Sequence, residues 1–202
     1  MTRASAIDPQ QAYLEGTHYM IRAIAALTFA FLALAVASAS VRAADPENTL
    51  YLDLKYGRVV IEMRPDLAPN HVKRIKELVR QHFYDGVPFH RVIAGFMAQT
   101  GDPTGTGTGG SGQKIKAEFS SEHHGRGTVS MARANDPDSA DSQFFICFAD
   151  AGFLDGKYTI WGKVVQGMEF VDQIVKGEDE NGIVPEDKRD KVIKMQVAAD
   201  VK

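Results

Sequence analysis

From residue 50 onwards the apolar residues come in short runs, and nearly every run stops at a glycine, a proline or a polar cluster. Residues 50–54 and 59–63 alternate about the turn KYGR, a β-hairpin pattern. FHRVIAGFMAQTGD (89–102), GTVSMAR (127–133), SQFFICF (142–148), YTIWGKVV (158–165) and VIKMQVA (192–198) are further runs of strand length. Only two stretches carry a helical period. HVKRIKELVRQHF (71–83), opened by Pro69 and Asn70, places Val72, Ile75, Leu78 and Val79 on one face, and GMEFVDQIVK (167–176) does the same with Met168, Phe170, Val171, Ile174 and Val175. Many short strands with only two helices predict a closed antiparallel sheet rather than a βαβ array.

The chain has 202 residues, room for one domain with an appendage. Its 23 basic and 26 acidic residues include no basic run dense enough to follow a phosphate backbone, which argues against nucleic acid as a partner. The single cysteine, Cys147, excludes an internal disulfide framework and a cysteine-based zinc cluster. Set inside FFICF, it reads as a buried, inert thiol.

The appendage is the N-terminus. Residues 23–41 carry no charge, follow Arg22 and end at VRA, with small residues at the minus-three and minus-one positions of a cut between Ala43 and Ala44. That is the layout of a secretory signal peptide, and Met20 makes a better start for it than Met1. The apolar stretch is also just long enough to span a bilayer, so an uncleaved membrane anchor is the alternative. Residues 1–43 are therefore expected to be extension and signal, and 44–202 the folded domain.

The domain shows little conventional chemistry. GTGTGG (105–110) satisfies a dinucleotide-binding pattern, but SGQKIKAEF follows it and opens no amphipathic helix to meet a pyrophosphate. His123 and His124 lie in a polar stretch without carboxylates at ligand spacing and read as solvated surface. Asp136 and Asp138 flank Pro137 as turn residues, and no serine sits in a nucleophile elbow. One residue stands out. Period-2 alternation would put Arg91 on the same face as Phe89, so it is either a solvated edge residue or one held for a task.

Three blocks taken together, FHRVIAGFMAQTGD (89–102), SMARANDPDSADSQFFIC (130–147) and FLDGKYTIWGKV (153–164), resemble the cyclophilin family of peptidyl-prolyl cis-trans isomerases. The resemblance extends from about residue 50 to residue 197. It implies a mainly β fold, a closed eight-stranded antiparallel barrel capped by two helices, with the active groove on the outer barrel surface. Carried over position by position, the catalytic arginine matches Arg91, and the proline pocket matches Phe96, Met97, Phe145 and Leu154. Gln99 and Gln143 match the polar groups that hold the substrate backbone. Ala132 and Arg133 match the segment whose main chain pairs with the residue before proline, and Gly107 and Thr108 border the neighbouring subsite.

Three positions depart from many eukaryotic members: Phe153 stands for tryptophan, Tyr158 for histidine and Arg133 for asparagine. The first two look like the bacterial branch and imply weak binding of cyclosporin. The resemblance implies a monomeric isomerase of X-Pro bonds that needs no metal or cofactor, acts on proline-containing polypeptides and, with the signal peptide, assists exported proteins in the periplasm. An anchor in the inner membrane is the alternative location. A proline-peptide binding module or chaperone with little turnover is the competing function.

Overall fold

A computed structural model of the chain describes residues 45–201. The signal-peptide and anchor readings of residues 1–43 lie outside them.

The predicted hairpin forms from β1 (Thr49–Leu54) and β2 (Gly57–Met63), with Leu54 opposite Gly57 across a two-residue turn. The other strands are β3 (Arg91–Ile93), β4 (Met97–Thr100), β5 (Thr128–Met131), β6 (Phe144–Cys147), β7 (Ile160–Gln166) and β8 (Lys194–Val197). They join one eight-stranded sheet in the order β3-β4-β6-β5-β7-β2-β1-β8, every neighbouring pair antiparallel.

The closed barrel expected from the sequence is not what forms. β3 and β8 are the two ends of the strand order, and the sheet is an open, curled half-barrel. Groups outside the strands supply the reason, because they satisfy backbone amides at both ends. Beside β3, Val92 N donates to Gly182 O at 2.7 Å and Phe89 N to Asp190 O at 2.8 Å, while on β8 Met195 N donates to Asp85 Oδ1 at 3.0 Å. With these partners in place, neither edge needs the other.

Alternation along the strands makes two apolar clusters. On β6, Phe144 and Ile146 enter the main core, where Phe144 meets Trp161 edge-on at 5.4 Å, while Phe145 and Cys147 turn to a second cluster on the other face. With both faces covered, all four residues of β6 are buried, which accounts for the unbroken apolar run. Phe89 joins the main core but Arg91 does not. The strand begins only at Arg91, so the alternation does not extend back through His90.

The first helix, α1 (Pro69–Arg80), buries Val72, Ile75, Leu78 and Val79, the face its period predicts. The second, α2, is shorter than expected and spans only Met168–Val171. Beyond it the chain tightens, with Ile174 N donating to Val171 O at 3.1 Å. The next amide, Val175 N, is taken by Asp190 Oδ2 at 2.9 Å, which removes the bond that would continue the helix.

Candidate active site

Strand register builds the site. Arg91 on β3 lies opposite Gln99 on β4, Gln99 opposite Phe145 on β6, and Phe145 opposite Ser130 on β5. Residues directly opposite in antiparallel strands present side chains to the same face, so arginine, glutamine and aromatic ring stand in one row. The adjacent row places Met97 opposite Cys147. Met97, Phe145 and Leu154 are buried together, with Phe96, Ala132 and Tyr158 packed partly exposed around them. The result is an apolar basin beside a guanidinium.

The arginine is tethered twice. Its Nη1 donates to Gln99 Oε1 at 3.3 Å, and its Nε donates to the backbone carbonyl of Asn181 at 2.9 Å. Gln99 Nε2 donates in turn to Gln143 Oε1 at 2.9 Å, and Gln143 Nε2 to the carbonyls of Gly107 and Gly109 at 3.0 and 2.8 Å. Nη2 has no acceptor among the described residues.

The glycine-rich loop is organised by carboxylates of its own chain. Asp102 accepts from the amides of Thr104, Gly107 and Gly109 and from the Thr104 hydroxyl at 2.7–3.0 Å. Burial acts to raise its pKa, but the bonds from Thr104, Gly109 and Gly107 outweigh it and hold the carboxyl at about 2. A Cβ on Gly109 would lie 2.2 Å from Asp102 Oδ1, and one on Gly110 2.7 Å from Asp141 Oδ2. The glycines of GTGTGG thus let backbone close on two carboxylates, an anion nest filled from within. Gly107, Thr108 and Gly109 form one wall of a cleft of about 550 Å³ that also takes in Gln99, Ala132, Arg133 and Gln143.

The remaining positions expected from the sequence surround the basin. Phe153 is 63% exposed and its ring lies 5.3 Å from that of Phe96. Tyr158 meets Phe145 edge-on at 6.0 Å, and the Arg133 guanidinium sits 4.5 Å over the Tyr158 ring. Arg133 also donates to the carbonyls of Lys157 and Ala134, which folds its side chain back from the cleft. Ala132 N is held by Gln143 O at 2.9 Å, leaving the Ala132 carbonyl and Arg133 N–H for another backbone.

His124 corrects the reading of residues 123–124 as solvated surface. It is fully buried and stacks at 18° on the Phe145 ring, with centroids 6.4 Å apart. Its Nδ1 pairs with Asp155 Oδ1 at 2.8 Å and its Nε2 with Ser130 Oγ at 3.1 Å. Ser, His and Asp in that order are no nucleophilic triad here. Ser130 is fully buried and donates to Thr159 O. The relay instead braces the back of Phe145, and through Asp155 the turn that carries Leu154. Burial lowers the His124 pKa, while hydrogen bonds accepted by Asp155 and then Asp150 raise that of exposed His123. Sequence reasoning missed Asp102, His124, Asp155 and Asn181. Asp102 was open to it, two residues before Thr104; the others reach the site through long chain separations.

Comparison with known proteins follows the same lines. Residues 49–197 match the family described as cyclophilin type peptidyl-prolyl cis-trans isomerase/CLD. The chain is 55% identical over 194 residues to a probable peptidyl-prolyl cis-trans isomerase of Brucella suis, covering 89% of this chain and 97% of that one. A peptidyl-prolyl cis-trans isomerase of Helicobacter pylori is 43% identical over 137 residues, 65% of this chain and 83% of its own. Among solved structures, a cyclophilin from Hirschia baltica superposes with a TM-score of 0.70 at 29% identity, over 80% of this chain and 77% of that one. A cyclophilin type isomerase of Cryptosporidium parvum, crystallised in the presence of the dipeptide Ala-Pro, gives 0.67 at 28% identity over 74% and 98%.

Proposed function

The chain belongs to the cyclophilin-type peptidyl-prolyl cis-trans isomerases, and on that premise we propose that Arg91, Gln99 and Phe96 carry its catalysis while Met97, Phe145 and Leu154 hold the proline. It is an isomerase, and its substrates are proline-containing polypeptides. The observation that carries the residue assignment is the row Arg91, Gln99, Phe145 set by strand register, with an otherwise unoccupied guanidinium nitrogen beside the apolar basin.

Rotation about an X-Pro bond meets a barrier of about 18–20 kcal/mol and breaks no covalent bond. Twisting ends the amide conjugation and makes the proline nitrogen pyramidal and more basic. A donor aimed at that nitrogen interacts more strongly with the twisted state than with the planar one, the condition for lowering the barrier. Arg91 Nη2 is such a donor. One charge-assisted hydrogen bond is worth about 1.5–3 kcal/mol, a fraction of what a large acceleration needs. The basin supplies the rest by fixing the ring while the preceding carbonyl turns, with the Ala132 carbonyl and Arg133 N–H pairing the residue before proline and Gln143, Gly107 and Thr108 bounding that side. Phe153 and Tyr158 rim the far side. Neither carries an indole N–H, which supports weak cyclosporin binding.

The apolar segment 23–41 with small residues at 41 and 43 supports export, and hence an enzyme that accelerates folding of exported proteins in the periplasm, free or tethered to the inner membrane. Relaxation of the cis X-Pro form of a tetrapeptide, followed by exchange NMR, tests the enzymatic reading. Acceleration by the chain that is weakened in Arg91→Ala is expected; no acceleration by the folded chain would move the function to peptide binding, and equal fast rates in both would remove Arg91 from the catalysis. Fractionation of expressing cells tests the location, and cytosolic recovery alone would overturn it.

A further inference from the structure

Next to the substrate cleft lies a second groove, about 390 Å³ in volume, between α1 and the 113–118 segment. Lys73 and Arg74 line it from the helix, and Lys114 and Lys116 from the opposite wall. Its two carboxylates are already engaged. Glu77 accepts from Arg74 Nη1 at 3.3 Å, and Glu118 takes the amides of Asn70 and His71 and the His71 ring. Lys73, Lys114 and Lys116 are exposed and make no ion pair among the described residues. Arg74 Nε is buried without an acceptor, although its Nη2 donates to Ser111 Oγ at 2.9 Å. The groove therefore presents uncompensated positive charge and one orphaned donor.

It also adjoins the cleft. Lys114 lines both, and Ser111, which holds Arg74, is bound through its amide at 2.8 Å to Asp141 of the cleft wall. Lys114 lines the same cleft as Gly112, Ala132 and Arg133, and the reading above assigns Ala132 and Arg133 to the residue before proline.

We propose that this groove is an extended subsite that selects polypeptides with acidic side chains on the N-terminal side of the isomerised X-Pro bond. The inference rests on the isomerase reading and adds a substrate class to it. A chain that leaves the cleft past Gly112 meets Lys114 first and then the lysines of the far groove, and carboxylates there find cations with no competing partner. Charge complementarity at an exposed groove affects capture more than chemistry, so the preference falls on KM rather than kcat.

The full chain would be assayed with three peptides: a neutral X-Pro tetrapeptide too short to reach the groove, and two longer ones with a run of aspartates or of asparagines before the same X-Pro pair. The aspartate peptide should show a KM lower by roughly 3- to 30-fold, as expected for two or three exposed ion pairs. That ratio should collapse at about 1 M salt, where the Debye length is about 3 Å. In the double variant Lys73→Glu/Lys116→Glu the preference should vanish and pass to a lysine-bearing peptide, while turnover of the tetrapeptide stays unchanged. Equal KM values in the unaltered chain, or an aspartate preference that survives 1 M salt or the charge reversal, would overturn the subsite. Failure of the unaltered chain on the tetrapeptide would instead overturn the isomerase reading.

Discussion

Arg91 Nε donates at 2.9 Å to the backbone carbonyl of Asn181, ninety residues further along the chain. With Nη1 held by Gln99, this second tether fixes the plane of the guanidinium and leaves Nη2 without an acceptor among the described residues. A planar fork held at two points loses little further freedom when it meets a substrate. Arg91→Ala should therefore lower kcat/KM by roughly 10- to 150-fold, the equivalent of one charge-assisted hydrogen bond. Most of the loss should fall on kcat, because the bond strengthens only as the amide twists. Steady-state kinetics on a proline tetrapeptide would show it, and a loss confined to KM would assign Arg91 to binding alone.

The Asn181 carbonyl is placed by its neighbour. Gly182 has φ +72°, donates to Asp179 O and accepts from Val92 N, so the 177–182 loop is pinned to β3 beside Arg91. A Cβ at Gly182 would come within 2.5 Å of Ile93 Cγ1 and 2.8 Å of Val92 O, in a backbone region costly for other residues. Gly182→Ala should shift the loop, free Arg91 Nε and reduce kcat several-fold while KM for a tetrapeptide changes little. Glu180→Gln on the same loop should leave both unchanged. An unaltered kcat in Gly182→Ala would show that Gln99 alone orients the arginine.

What was legible in the chain follows from how local each signal is. The buried face of α1 and the hairpin register are written in adjacent residues, and the row of Arg91, Gln99 and Phe145 follows once three strand-like blocks are matched to a family pattern. Signals that depend on distant partners misled. The period of 167–176 continues past Val171, but the Asp190 carboxylate ends the helix from outside. Closure of the sheet was overread because Gly182 and Asp85, distant in sequence from the strands they meet, take up backbone amides at its two edges. His124 looked solvated because its carboxylate, Asp155, is 31 residues away, and nothing near residue 124 reports its burial.

Cys147 offers a test of the second cluster. The thiol is buried on the face of β6 shared with Phe145, and burial pushes its pKa up to about 12. At pH 8 almost none of it is thiolate, and reagents reach it only through opening of the structure. Alkylation of the native protein should be far slower than that of a free thiol and should become fast in denaturant. Rapid labelling of the native chain, with loss of turnover, would mean that the pocket opens readily.

The histidines make stability depend on pH. Burial lowers the pKa of His71, His90 and His124 from the ordinary 6.5. Below pH 6.5 the unfolded chain takes up these protons first, so stability falls with acidification, by at most about 1.4 kcal/mol per pH unit for each ring. His123 works in the opposite sense and in a different window. Its pKa is raised by Asp155 and Asp150, so its contribution is complete below pH 6.5 and is lost as pH rises through its folded value. The carboxylates held low, Asp155 and Glu118 among them, weaken the fold only below about pH 4. The urea midpoint should therefore fall from pH 6.5 towards pH 5, where three depressed rings outweigh the single raised one, and the His123 contribution should fade only as pH rises above 6.5. His123→Gln removes the contribution that fades above pH 6.5 and should leave the acid side intact. A midpoint that climbs steadily to pH 8 in the unaltered protein would show that the His123 bridge to Asp150 and Asp155 does not hold in solution.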